Sequence, residues 1–256
     1  MPGSYWSPLS LARLHAGFDI LTAVKRLRVL LFDVFGTLVD WRGSLIELAE
    51  AGTAGDGMRA DWPAIVDDWR RAYQPALDRV RQGEPWRDLD SLQRETLDEV
   101  LAERGMSLSA ATRESLVIGW RQLRPWPDSK AGLDRLRRGY LTATLSNGHL
   151  ALLADLLKFA DLRVDVVLSA QCAGSYKPDA RVYLTALGLL ECRPEDAGLV
   201  AAHSADLQAA AALGLRPIFV RRQLEWGPGV PATEPPALDG LLDADGLGDL
   251  ATALGC

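Results

Sequence analysis

Four apolar residues, Val29 to Phe32, end abruptly at Asp33, and Gly36 and Thr37 follow within a turn's length. An apolar run this short is what a parallel sheet buries on both faces. Gly36 lets the backbone bend sharply after it. In open α/β sheets, ligands sit just beyond the carboxyl ends of the strands, so Asp33 stands where a nucleophile would act. From this stretch alone, Asp33 as a strand-end or turn cap is the competing reading.

The rest of the chain alternates in a way that supports a sheet. Helical patterns are expected at 129–138, 150–160, 180–187 and 205–213, and strands at 141–146, 164–169, 198–201 and 217–220. Such alternation gives a Rossmann-like parallel sheet with helices on both faces. From Trp41 to about Leu123 the pattern is instead purely helical. Asp61-Trp62-Pro63 marks a helix start with Pro in the first turn, and Ile65, Val66, Trp69 and Tyr73 recur at helical spacing. Further helices are expected at 44–50, 91–103 and 111–123, so four helices form an inserted bundle. The expected division is an extension at 1–26, an α/β core at 27–40 and 124–256, and a helical cap at 41–123. No function is assigned to the extension. The Pro/Gly-rich stretch from Trp226 to Pro236 reads as a surface loop, and the last ~18 residues as a small amphipathic tail, neither of them a site candidate.

Three further stretches carry chemistry. Ser146-Asn147-Gly148 ends an expected strand, where a hydroxyl and free N–H groups near a helix start can hold an anion; Ser146 or Asn147 as a helix N-cap is the plain alternative. Lys177, in Tyr176-Lys177-Pro178-Asp179, can orient a carboxylate and keep it ionised. His203 and Asp206 follow the strand Val200-Ala201-Ala202, and an imidazole with an ordinary pKa near ~6.5 can act as a base at neutral pH.

Together these segments resemble the four ordered motifs of the haloacid dehalogenase superfamily. Its phosphatase members carry a second Asp two places after the nucleophile, where this chain has Phe35. A halide leaves without a proton, so an aromatic residue there points to the L-2-haloacid dehalogenase branch. Magnesium-dependent relatives also place an acid where Ala202 stands, and Ala cannot ligate a hard cation. The resemblance therefore implies an enzyme with no metal and no cofactor. Trp69-Arg70-Arg71 resembles the family's Trp-Arg pair, whose Arg stabilises the departing halide, and a guanidinium suits that task. Arg71 points about 100° away on the same helix.

By resemblance, Asp33, Arg70, Lys177, His203 and Asp206 are catalytic, and Thr37, Ser146, Asn147, Phe35 and Tyr183 bind substrate. Tyr183 also reads as an ordinary core residue. His203 departs from the Asn of better-known members and matches an Ala-Ala-His variant. Either His203 or Asp206 would activate water. The implied reaction is hydrolysis of short (S)-2-haloalkanoic acids, with haloacetates and fluoroacetate among the candidates, to 2-hydroxy acids through an Asp33 ester. A small-molecule phosphatase and a catalytically inactive binding protein of the same fold are the alternatives.

Composition bounds the partners. A 256-residue chain with 48% hydrophobic residues is globular, and its net charge of -6 argues against a nucleic-acid surface. Three cysteines without C-x-x-C spacing indicate neither a disulfide framework nor a zinc site. The N-terminus lacks a signal-peptide apolar stretch, and no apolar run reaches the ~20 residues that span a bilayer. A cytoplasmic protein acting on a small molecule is expected, and the family implies a homodimer.

Overall fold

In the computed structural model, which describes residues 27–54 and 60–256, the first strand is an interior strand of the sheet, flanked on both sides. The expected extension at 1–26 lies outside the described residues. β1 (Val29–Phe32), with all four side chains buried, leads through a turn into β2 (Val39–Asp40). Then come α1 (Trp41–Thr53), α2 (Trp62–Arg81), α3 (Leu89–Glu103) and α4 (Ala110–Gly119). β3 (Arg124–Pro125) brings the chain back, pairing antiparallel with β2 as Val39 with Pro125 and Asp40 with Arg124. Next are α5 (Ser129–Leu136), β4 (Leu141–Thr144), α6 (Leu150–Phe159) and α7 (Ala180–Leu189). The chain ends with β5 (Ala197–Ala201), α8 (Ser204–Ala212), β6 (Arg216–Val220), β7 (Leu242–Ala244) and α9 (Leu247–Ala253).

The sheet order is β4-β1-β5-β6-β7, and every pair in it is parallel. Phe32 lies opposite Thr144 on one side and Val200 on the other. Three strands therefore end level, and the loops after them open on one edge. The α/β class and the parallel sheet are as expected. Among the described residues no helix is long and apolar enough to cross a membrane.

Helix starts follow local chemistry. Asp40, Asp61, Asp88 and Ser109 cap α1 to α4, each accepting from a backbone N–H three residues on, the usual N-cap bond. α2 runs through Pro75 to Arg81, well past the repeat ending at Tyr73. Pro within a helix costs about 3 kcal/mol. Each buried large apolar side chain returns about 1.5–3 kcal/mol, and Trp69, Tyr73, Leu77 and Val80 continue one buried stripe across the proline. Packing wins.

Other expectations require correction. Residues 164–169 do not form a strand; only two isolated bridges, Ala143 to Val166 and Ser146 to Ser169, tie them to the sheet. Backbone bonds remain from Val166 N to Thr142 O and from Ala170 N to Ser146 O, but between them side chains interrupt the ladder. The Thr144 hydroxyl donates to Leu168 O (2.8 Å) and accepts from Leu168 N (3.0 Å), while Asp165 accepts from Thr142 N (2.9 Å). α4 stops at Gly119, where Trp120 begins to turn the chain. The C-terminal tail is integral to the core: β7 is the outermost strand, and α9 packs on α5.

The α5–α9 contact is close because Gly132 has no side chain. A Cβ there would stand 2.4 Å from Leu247 Cβ and 2.9 Å from its carbonyl carbon. Gly132→Ala should therefore lose about 1–3 kcal/mol by overpacking, despite a helix-propensity gain of roughly 1 kcal/mol. Gly188→Ala in α7, where the new Cβ meets open space, should gain about 0.5–1 kcal/mol. Opposite shifts in urea midpoint are expected; equal midpoints would contradict the packing argument.

Candidate active site

Asp33 extends β1 by one residue, its N–H donating to Val200 O at 3.0 Å. The chain then folds back: Leu38 N donates to Val34 O (2.8 Å) and Gly36 N to Val39 O (3.0 Å). Gly36 has φ +83°, which a side chain would strain. It has a second reason to be glycine. A Cβ at this position would lie 2.2 Å from Glu225 Oε1 and 3.1 Å from His203 Cε1.

The Asp33 carboxylate is buried and held by three donors. Thr37 Oγ1 donates to Oδ2 at 2.8 Å, His203 Nδ1 approaches the same oxygen at 3.0 Å, and Lys177 Nζ donates to Oδ1 at 2.9 Å. Burial alone would raise the Asp33 pKa, but the Lys177 ammonium and the His203 ring hold it far below the usual carboxylate range. Lys177 also bridges to Asp206, and the two carboxylates push its pKa up against the effect of burial. The cation between the acids is thus a side chain. Tyr183 OH donates to the other Asp206 oxygen.

His203 lies between carboxylates on both sides, because its Nε2 is 2.7 Å from Glu225 Oε1. A carboxylate oxygen only accepts, so each ring nitrogen needs a hydrogen to satisfy its partner. Burial opposes the charge, yet Glu225 and Asp33 push the His203 pKa up to about 10. In turn, burial would raise the Glu225 pKa, and His203, Arg70 and the Trp41 N–H pull it down. Trp41 Nε1 donates to Glu225 Oε1 at 3.2 Å. The loop carrying Glu225 is tied to the turn after β1: Arg222 Nε donates to Thr37 O (2.8 Å) and Nη1 to Asp128 (2.7 Å).

A cavity of about 850 Å³ opens above this floor. Asp33, Lys177, His203 and Asp206 lie at its base, and Phe35, Asn147 and Arg70 on its walls. Phe35 packs edge-on against Trp120, with ring centres 5.4 Å apart. Asn147 Oδ1 accepts from Lys177 N at 2.8 Å, which fixes the backbone of the lysine. The Arg70 guanidinium sits 4.4 Å from the Tyr73 ring centre and 5.2 Å from that of Trp41, in cation–π range. Its Nη1 is buried with no hydrogen-bond partner among the described residues. A buried cationic donor left unmet is a place for an anion.

Three residues expected to bind substrate are enclosed behind the cavity wall. Thr37 is fully buried, its hydroxyl holding Asp33 and accepting from Ala202 N at 2.9 Å. The Tyr183 hydroxyl is engaged by Asp206, and the Ser146 hydroxyl accepts from Gly148 N at 3.2 Å. Their polar groups serve the protein. Conversely, Trp226 and Val230, set aside with a surface loop, line the cavity, and Trp226 packs edge-on against Trp41 at 5.6 Å. Glu225 had no signal at all in the sequence. Its acid side chain enters the site from a loop between β6 and β7, a place no motif marks.

Comparison with known proteins agrees with this geometry. The family model described as haloacid dehalogenase-like hydrolase matches residues 27–214. The (S)-2-haloacid dehalogenase 4A of Burkholderia cepacia is 28% identical over 206 residues, covering 78% of this chain and 85% of its own. A solved L-2-haloacid dehalogenase is 44% identical, with a TM-score of 0.84 over 89% of this chain and 98% of that one. A solved defluorinating L-2-haloacid dehalogenase is 36% identical, with a TM-score of 0.86 over 90% of this chain and 96% of that one. A parallel sheet with a buried carboxylate at a strand end, the family model over residues 27–214 and these relatives lead to one conclusion: the chain belongs to the haloacid dehalogenase-like hydrolases, in the branch of the L-2-haloacid dehalogenases.

Proposed function

We propose that the protein hydrolyses short (S)-2-haloalkanoic acids, haloacetates among them, to 2-hydroxy acids through an ester on Asp33. The observation that carries this reading is the pairing of two opposed features. Below, a carboxylate is kept ionised by Lys177 and His203; above, Arg70 offers a buried, unmet N–H. The first suits a nucleophile and the second a departing anion.

Lone-pair counting selects the attacking oxygen. Oδ2 accepts from Thr37 and faces His203, so both its in-plane lone pairs are engaged. Oδ1 accepts only Lys177 among the described residues and keeps one lone pair free. In the proposed step Oδ1 bonds to C2 of the acid, the carbon–halogen bond breaks, and the halide leaves with the bonding pair toward Arg70. Nothing needs to protonate it, which fits Phe35 beside the nucleophile. The turn at Asn147 and Gly148, above the enclosed Ser146, is where the substrate carboxylate would be anchored. Water then adds to the Asp33 carbonyl carbon, the bond to Oδ1 breaks, and the 2-hydroxy acid departs with inverted configuration. A metal-assisted phosphatase is not favoured, because Phe35 cannot serve as acid and Ala202 offers no oxygen side chain. A homodimer, carried over from the family resemblance, and a cytoplasmic setting, expected from the composition, belong to the same proposal.

Halide release from chloroacetate, fluoroacetate or (S)-2-chloropropionate without added metal is the expected activity. Asp33→Asn should reduce it at least about a thousandfold. In a single turnover in heavy-oxygen water, label should enter the Asp33 side chain before product; unlabelled Asp33 beside labelled product would overturn the ester route. Arg70→Lys keeps the charge but loses the planar fork held by Tyr73 and Trp41. Its kcat should fall on the order of 10–100-fold, more for the halide that is harder to expel; an unchanged kcat would remove Arg70 from the bond-breaking step.

A further inference from the structure

We infer that Glu225 is a positioning residue for ester hydrolysis, holding His203 as an imidazolium whose Nδ1–H supports the oxyanion formed when water adds to the Asp33 ester. This rests on the proposed dehalogenase reading and assigns His203 a task other than taking a proton from water. Glu225 lies beyond residues 27–214, the part matched by the family model.

The geometry leaves His203 no free lone pair. Nδ1 faces Asp33 Oδ2 at 3.0 Å and Nε2 faces Glu225 Oε1 at 2.7 Å. With an acceptor at each nitrogen, the ring is a double donor and cannot also be a base. Charges on the surrounding elements agree. Asp33 ends β1, Asp206 is on α8, Glu225 follows β6, Lys177 precedes α7 and Arg70 is on α2, so three acids stand against two cations around the ring and a charged His203 makes the signs level.

Esterification at Oδ1 changes this balance at one point. Asp33 becomes neutral, and the remaining carbonyl oxygen is Oδ2, the atom already facing Thr37 Oγ1 and His203 Nδ1. When water adds, the carbonyl π pair moves onto Oδ2 as an oxyanion between those two donors. Collapse restores the carbonyl and breaks the bond from the carbonyl carbon to Oδ1; one water proton goes to the departing 2-oxy group and the other to the Asp206 carboxylate, then to solvent. Water's oxygen stays on Asp33. Throughout, Glu225 keeps the second ring proton in place, because a ring paired only with a neutral ester would otherwise lose its charge.

Glu225→Gln removes the charge and keeps the shape. His203 should be followed by NMR in the intact protein, assigned against His203→Asn, since the chain has three histidines. In the wild type its charge should persist at neutral pH and be lost only as the pH rises through about 10. In Glu225→Gln the titration should fall by at least about one pH unit, tenfold in proton affinity, and the alkaline limb of the ester-hydrolysis rate should move with it. Rapid-quench mass spectrometry with chloroacetate should show the Asp33 ester accumulating in Glu225→Gln, with hydrolysis slowed on the order of 100-fold and the initial halide burst retained. Glu225→Asp should restore most of both properties. His203→Asn tests the same support from the other partner and should also accumulate ester. An unmoved His203 titration in Glu225→Gln, or slowing confined to the burst, would overturn the inference while leaving the ester route standing. No ester in the wild type would overturn that route and this inference together.

Discussion

An ionised carboxylate taken out of water carries a penalty of several kcal/mol unless cations and donors meet it, and Asp33 is such a carboxylate. The site follows from that demand. No single segment could satisfy it, since Asp33 sits on one strand end with only Thr37 close by in sequence. Lys177 and His203 come from 144 and 170 residues away. Parallel registration makes this possible: β1 lies between β4 and β5, so the loops at their carboxyl ends share one edge. The sheet is less a container for the site than the ruler that aligns its parts.

Each cation that meets Asp33 is itself met by a second acid, Lys177 by Asp206 and His203 by Glu225. The network then ends in neutral donors, the Tyr183 hydroxyl on Asp206 and the Trp41 N–H on Glu225. Such a buried network is rigid when all its members are satisfied. Its geometry reaches back into the fold. Arg222 ties the loop of Glu225 to Thr37 O and to Asp128, and Asp128 accepts from Leu247 N at 2.6 Å, at the start of α9. The C-terminal helix therefore braces the loop that supports the histidine. A tail that looks dispensable in sequence bears on the site through two hydrogen-bonded residues.

What could be read in the sequence divides along the same physical line. Features set by local order were legible: the apolar run into Asp33, the proline-marked start of α2, and the helix–strand alternation. The parallel sheet followed from these. Residues in segments that resemble family motifs, such as Lys177 and Asp206, could be nominated one by one. Which way a hydroxyl points could not. Thr37, Ser146 and Tyr183 each carry a group able to bind substrate, and only the folded chain shows those groups engaged by Asp33, Gly148 and Asp206. Residues 164–169 failed for a similar reason, because the Thr144 side chain takes both backbone groups of Leu168 and interrupts the backbone ladder. Glu225 was out of reach. Its partner lies 22 residues earlier, and the space it needs is the missing side chain of Gly36.

That missing side chain changes how the motif glycine should be understood. A positive φ alone would explain Gly36 wherever such a turn occurs. Here the same absence admits a second acid to within van der Waals range of the turn, next to His203. In the proposed reaction negative charge leaves Asp33 and travels with the halide toward Arg70, so cations are needed at both ends of its path. Lys177 and His203 hold the start and Arg70 the finish. Once the charge has moved, the two cations at the start face a neutral ester, and their excess polarises the carbonyl toward water. Lys177 keeps its proton through Asp206; without Glu225, His203 would have no comparable partner at that moment. The turn that presents Asp33 is thus also the turn that leaves room for Glu225, the acid that the proposed second step would need.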